Sequence, residues 1–435
     1  MRNRRTQLGF CTMFLAGLTV GLSGCGRLQH AGDVTAPEPI VVEGGTAADM
    51  GQADAQEMNQ AETKPMEQAL MMEVPEPEVT REPVKARGIY ISSYVAGTPD
   101  MVDRLLAELD RTEANTLVID LKDDFGRVAC EMDAPLVQEI GAVKTYIPDI
   151  GALMRKLEEH EIYAIARIPA FRDAWLGDVR PEWCVHNADG SVFRDRDGNA
   201  WVNPYKEEAW DYLVEIAVQA GKLGFDEVQF DYVRFCTEKK MKDVVFDETD
   251  VRGRSRTDVI SEFMAYAYER LKQEGLFVSA DVFGAIINSD VNADAVGQIY
   301  GEMAKHLDYI SPMIYPSHYA DGNYGIDHPD LHPYETVRAA LEDSRKELYF
   351  AAQESEHIAQ VRPWLQDFTA GWLSSHMEYG EEEIRQQIQA VYDSGYDEWM
   401  LWDASCRYSW GGLLTPEEAE SESKAEAESA EVPGI

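Results

Sequence analysis

The segment Glu227-Val228-Gln229-Phe230-Asp231-Tyr232-Val233-Arg234-Phe235 decides how the rest of the chain is read. It is apolar and aromatic enough for a buried strand, and it follows an amphipathic stretch, 207–223, across the break Gly224-Phe225-Asp226. A helix, a glycine stop and an apolar strand make half of a βαβ unit. Outward from there the unit recurs. Strands are expected at 87–93, 116–121, 163–168, 227–235, 277–283, 309–314, 362–368 and 398–402. Apolar residues at helical spacing fall at 101–110, 150–160, 207–223, 259–274, 297–306, 333–342 and 382–394. Strands buried on both faces and separated by helices predict a parallel sheet covered outside by helices. Eight such strands within 87–415 favour an α/β fold of the (β/α)8 TIM barrel type. No Gly-x-Gly-x-x-Gly follows the first strand, which argues against a Rossmann domain.

The flanks read differently. Arg2, Arg4 and Arg5 precede an apolar stretch, 8–22, too short to span a bilayer comfortably, so 1–24 is expected to be a lipoprotein signal peptide. It runs into Leu22-Ser23-Gly24-Cys25, which resembles a lipobox, with Cys25 as the lipid anchor and an extracytoplasmic, envelope location as the consequence. An ordinary secretory signal is the plainer alternative. Residues 25–86 mix Ala, Glu, Pro and Gln without helical period and are expected to be a disordered linker. The Glu-rich stretch 416–435 is expected to be a solvated, disordered acidic tail, with a short Ala/Glu helix as the alternative but nothing for it to pack on. A net charge of −40 with no basic patch argues against nucleic acid as a partner. Cys130, Cys184, Cys236 and Cys406 show no CxxC spacing and read as mostly free, with one incidental bridge at most.

In such barrels the site lies where strands end at their C-termini. Here those ends carry carboxylates: Asp120 with Asp123 and Asp124, then Asp231, Asp281, Asp367 and Asp403. A single one of these could cap a helix or pair with Arg167 or Arg234. Several converging on one rim are costly unless they hold a cation, share protons or serve chemistry. One acid kept protonated and one kept ionised is the requirement of glycosidic cleavage. Trp183, Trp201, Tyr205, Tyr315, Tyr319, Trp364, Trp372 and Trp402 fall in or beside the same loops; packing is the better explanation of any one of them, and a saccharide groove of the collection. His318, His328 and His332 cluster after the sixth strand without zinc-motif spacing, and no cofactor or metal is expected.

Taken together, Arg87-Gly-Ile-Tyr90, Val118-Ile-Asp120-Leu-Lys122-Asp123-Asp124, Asn203-Pro-Tyr205, Gly224 through Phe235, Ser311-Pro312-Met313-Ile-Tyr315-Pro316-Ser317-His318-Tyr319, Arg362-Pro-Trp364-Leu-Gln366-Asp367-Phe and Trp402-Asp-Ala-Ser405 resemble a bacterial family of glycoside hydrolase-like barrels. That family looks like a distant relative of the α-amylase-like barrels. The resemblance implies a nucleophile at the end of strand four, Asp231, and a proton donor at the end of strand five, Asp281. Two positions depart from the pattern: Cys236 stands where the family usually has Pro, and Asp281 is shorter than the usual Glu.

The resulting expectation is an enzyme that cleaves glycosidic bonds in an oligo- or polysaccharide. Asp231 and Asp281 would be catalytic, and Asp120, Asp123, Arg234, Tyr232, Tyr315, His318, Trp364, Asp367 and Trp402 would bind substrate or tune the acids. Arg234 would favour the ionised form of a neighbouring acid. Two rivals are a non-catalytic carbohydrate-binding envelope lipoprotein and a metal-dependent sugar deacetylase using the Asp and His residues near strand six.

Overall fold

The computed structural model describes residues 81–421. Eight parallel strands close on themselves: β1 (Arg87–Ile91), β2 (Thr116–Asp120), β3 (Tyr163–Pro169), β4 (Glu227–Asp231), β5 (Phe277–Phe283), β6 (Tyr309–Ile314), β7 (Trp364–Gln366) and β8 (Trp399–Trp402). Each pairs with its neighbour in sequence, and β8 returns to β1, where Ile89 lies opposite Leu401. Helices α1 (Pro99–Leu109), α2 (Ile150–Glu159), α3 (Glu207–Leu223), α4 (Arg256–Lys272), α5 (Tyr300–Ala304), α6 (Pro333–Ala351) and α7 (Glu381–Asp393) alternate with the strands. This is the expected (β/α)8 TIM barrel. Among the described residues no helix is long and apolar enough to cross a membrane.

Local chemistry sets the element ends. α3 carries Glu207 and Glu208 in its first turn and Lys222 in its last, matching the helix dipole, and stops at Gly224 with φ +105°. α4 begins with a capping box in which Ser255 and Asp258 satisfy each other's backbone N–H. Along the strands, alternate residues divide two apolar regions. Leu117, Ile119, Ala166, Val228 and Phe230 pack outward against the helices. Tyr90, Val118, Ile165, Trp364 and Met400 fill the barrel. The lower end is sealed by charge: Arg362 donates to both oxygens of Glu227 at 2.9 Å and to Glu398 at 2.8 Å. Tyr163 and Ser279 complete the hydrogen bonds to Glu227, and the Arg362 guanidinium lies 3.7 Å from the Tyr309 ring centroid.

Several expected boundaries move. The strand expected at 227–235 stops at Asp231, because Tyr232 turns into the left-handed region with φ +49°. The strand expected at 362–368 is cut to Trp364–Gln366 by Pro363, which has no N–H for the ladder, and Gln360–Val361 pairs separately with β6. The helix expected at 297–306 shortens to α5, since Gly297 at φ +81° ends an earlier helix, Asp290–Val296. α6 runs on to Ala351, past the expected end at 342. Within the long connection from β3 to α3, His186–Asn187 forms a small antiparallel ladder with Val244–Val245, which nothing in the hydrophobic period announced.

The flanks are corrected where they are described. Residues 81–86, expected to belong to the linker, are bound to the barrel. Arg81 donates to the carbonyls of Gly221 and Phe225, both at 3.2 Å, and Ala86 is buried inside the barrel. A guanidinium at carbonyls near a helix C-terminus is electrostatically well placed. The stretch expected to be a disordered tail begins as a helix over 416–421, started by Thr415 and Glu418 bonding each other's backbone N–H. The signal segment, Cys25, the rest of the linker and the rest of the tail lie outside the described residues. Cys130, Cys184, Cys236 and Cys406 are free thiols.

Candidate active site

The upper layer of the barrel interior is where the carboxylates meet. Phe230 pairs with Ala280, so the next residues, Asp231 and Asp281, stand side by side on β4 and β5. Asp120 on β2 is opposite Arg167 on β3. Arg167 is fully buried and is the hub of the site. Its guanidinium pairs with Asp120, with Asp124 at 3.0 Å, and with Asp231, to which Nε donates at 3.1 Å. It also lies 5.2 Å from the Trp402 ring and 5.6 Å from that of Tyr90. The Tyr90 hydroxyl donates to Asp120 at 2.6 Å.

Three carboxylates around one guanidinium cannot all be neutralised by it, and protons make up part of the difference. Burial lifts Asp120 to about 7, against the pull of Arg167 and with Asp124 adding to the rise. Asp124 moves the other way: although burial opposes it, Arg167 and Arg172 together hold its carboxyl below the usual value. Asp281 is pushed well above the ordinary carboxyl range by burial and then by the charge of Asp231. Arg167 and the Trp364 indole N–H, which donates to Asp281 at 2.7 Å, only partly offset this. Burial and the neighbouring charge thus favour the protonated form of Asp281, which stands beside Asp231, the partner of Arg167. A buried acid raised in this way, beside a second carboxylate, is the mark of a general acid.

The left-handed Tyr232 immediately after Asp231 lets the Asp231 carboxylate accept the Tyr232 backbone N–H. A non-glycine residue held in that region is a strain that structure must support. Here the support comes from Arg172, which donates to the Tyr232 hydroxyl at 3.2 Å and to Asp195 at 3.3 Å.

The other expected site residues divide. Tyr315 is buried close enough to Asp281 and Asp231 for burial and then their charges to raise its hydroxyl pKa. Trp402 is partly exposed and stacks on Tyr90 at 4.2 Å. Trp364 is buried inside the barrel, where it serves Asp281. Arg234 is close enough to Asp231 to feel its charge, but the direct pair is not its own. It lies 4.4 Å from the Phe283 ring and 4.9 Å from that of Trp201, while the ion pair to Asp231 comes from Arg167. Asp123 is placed in a turn, its Oδ1 accepting the N–H groups of Phe125 and Arg127. Both Asp367 oxygens accept from Ser409, through its N–H and its hydroxyl, and burial raises this carboxyl to about 6. His318 is pushed down to about 4 by burial, its Nδ1 meets the Ser317 hydroxyl, and its buried Nε2 has no hydrogen-bond partner.

Most of the expected aromatic groove is packing. Trp201 and Tyr205 are buried, Trp183 lies against Tyr212 and Tyr319 against Tyr324. Trp183 and Trp402 are half-buried, and Trp372 is the most open, at 43% exposed. Among the described residues no group of three or more His, Cys, Asp or Glu is arranged to hold a metal ion. The residues that sequence reasoning undervalued are Arg167, Asp124 and Arg172. Arg167 had a signal, an Arg inside an otherwise apolar strand.

The model of a family described as "Putative glycosyl hydrolase domain" matches residues 88–408, from β1 to the loop beyond β8, and the chain belongs to this family. A hypothetical protein of solved structure from Ruminiclostridium thermocellum ATCC 27405 is 35% identical, over 45% of this chain and 97% of that one, with a TM-score of 0.42. The PgaB (BpsB) glycoside hydrolase domain from Bordetella bronchiseptica is 12% identical, over 74% of this chain and 94% of its own, with a TM-score of 0.52, a likeness of fold. An alpha-galactosidase from Thermus thermophilus is 14% identical, over 79% and 62% of the two chains, with a TM-score of 0.46. A search of the curated proteins returned no match.

Proposed function

We propose that the barrel hydrolyses glycosidic bonds in an extracytoplasmic oligo- or polysaccharide, with Asp281 as general acid and Asp231 as nucleophile. The observation that carries the reading is the pair itself: a buried Asp281 held protonated next to an Asp231 anchored by Arg167. The family description and the glycoside hydrolase domain of similar fold support the same class of reaction. Asp281 gives its proton to the leaving oxygen while the Asp231 carboxylate attacks the anomeric carbon. Asp281, now ionised, then takes a proton from the water that releases the sugar. Neighbouring parallel strands lie about 4.8 Å apart, so a pair on adjacent strands suits the short carboxyl separation of a retaining enzyme, about 5–5.5 Å.

The test is a reducing-end screen of envelope and plant polysaccharides with the parent protein, Asp231→Asn and Asp281→Asn. Asp231→Asn loses turnover on every substrate. Asp281→Asn loses about 10²–10⁴-fold on unactivated bonds but keeps activity on 2,4-dinitrophenyl glycosides, whose leaving group needs no proton. Turnover by Asp231→Asn equal to the parent's would sink the assignment. The lipobox-like Leu22-Ser23-Gly24-Cys25 supports tethering through Cys25, and loss of membrane association in Cys25→Ser cells is the corresponding test.

A further inference from the structure

The mouth of the barrel has two chemically different halves. Around Asp231, the ends of β2 to β4 present Asp124, Arg167, Arg172 and Tyr232, all charged or hydrogen-bonding and tied to one another. Beyond Asp281, the ends of β6 and β7 present aromatic rings. Tyr315, beside both carboxylates, lies 5.6 Å from Phe368, and Phe368 stacks on Trp372 at 5.9 Å with 24° between the planes. His318 stands edge-on to both outer rings, at 80° and 89°. With burial holding its pKa at about 4, the imidazole is neutral at ordinary pH, so it braces the stack as an apolar wedge. Phe368 and His318 are half-buried, and Trp372, 43% exposed, is the most open ring of the row, with its inner side backed by Phe368.

We propose that Trp372 is the platform for the saccharide on the leaving-group side of the scissile bond. This rests on the roles given above to Asp281 and Asp231. The acid protonates the oxygen that stays with the leaving group, so the leaving sugar lies on the Asp281 side of the mouth, which is the aromatic side. A ring fixed by Phe368 and His318 offers a flat apolar face at little ordering cost. Such a face takes the apolar side of a pyranose without demanding particular hydroxyls. The charged half around Asp231 reads the sugar that is transferred, and the aromatic half accepts a chain. The site therefore takes oligosaccharides that extend past the cleaved bond. His318 is a positioning residue for Trp372.

The experiment uses the protein as it exists, with Trp372→Ala and Trp372→Phe. The probes are cellohexaose, maltohexaose and chitohexaose, with the glycosyl fluorides of the matching sugar and anomer. For a hexaose that the parent cleaves, Trp372→Ala raises KM about tenfold, the worth of one aromatic contact, and Trp372→Phe raises it much less. kcat/KM on the glycosyl fluoride stays within about twofold, because a departing fluoride leaves the platform empty. An unchanged KM for the hexaose, an equal fall on both kinds of substrate, or failure of the parent to bind any of the three hexaoses overturns the proposal. Binding measured with Asp231→Asn separates this from the hydrolase reading. Trp372-dependent binding of a hexaose that the parent does not cleave retains the platform and removes the chemistry.

Discussion

Trp364→Phe tests the proton on Asp281 without touching either carboxylate. The indole N–H donates to Asp281 Oδ1 at 2.7 Å, and this bond favours the ionised carboxylate. Phenylalanine keeps an aromatic ring against Trp402, whose centroid lies 5.6 Å from that of Trp364, and removes the donor. A hydrogen bond to a charged acceptor is worth about 1.5–3 kcal/mol and one to a neutral acceptor about 0.5–1.5 kcal/mol. The difference of about 1–1.5 kcal/mol corresponds to roughly one pH unit at 1.36 kcal/mol per unit. Asp281 is already raised well above the ordinary range by burial and by Asp231, and losing the donor raises it further. The alkaline limb of kcat/KM against pH therefore moves up by about one unit in Trp364→Phe, with the acidic limb in place. The profile is measured on the polysaccharide that the reducing-end screen returns, with the carboxyl 13C shift of Asp281 followed in parallel as a readout that needs no turnover. An alkaline limb that stays still or moves down in a variant with parental circular dichroism would show that Asp281 is not the acid that the limb reports.

Arg167→Lys keeps a positive charge but cannot fork across Asp120, Asp124 and Asp231, so kcat falls about 100-fold with KM little changed; steady-state kinetics decide, and parental kcat would remove Arg167 from its place as hub. Arg362→Met leaves the buried Glu227 and Glu398 without their cation and costs about 3–5 kcal/mol at pH 7 in denaturant titrations. Adding Glu227→Gln and Glu398→Gln restores much of that loss, and a single mutant as stable as the parent would refute the plug. Asp120 carries a raised folded value of about 7 against an ordinary 3.8, so its contribution to stability is present below pH 4 and is lost as pH rises towards 7. In Asp120→Asn the Tm therefore declines less between pH 4 and 7 than in the parent, and parallel curves would contradict the shift.

The barrel was readable because its signals are local and repeated. Gly224 stops α3 and the apolar run beginning at Glu227 follows, and the spacing of such pairs carries the topology. What misled was the reach of single residues. Tyr232 looks like one more strand residue, and its left-handed turn depends on Arg172, which is 60 residues earlier in the chain. The acids at strand ends were legible as a set, whereas their division between site and scaffold was not. Asp123 and Asp231 look alike in sequence, but Asp123 bonds its own turn and Asp231 faces Arg167. Arg234 and Arg167 were equally plausible partners for an acid, and strand register separates them: Arg167 points into the barrel from β3 while Arg234 lies beyond the Tyr232 turn. The aromatic residues failed for the same reason, since rings that pack and rings that face solvent share one composition.

The Arg81 clamp has a bearing on how the mouth of the barrel is approached. Gly221 and Phe225, whose carbonyls it grips, lie where β4 begins, and Leu414 exchanges backbone and side-chain bonds with Glu113 just before β2. Both ends of the described segment thus leave from the floor of the barrel, and the carboxylates occupy its roof. A polymer that approaches the mouth therefore meets neither end of that segment.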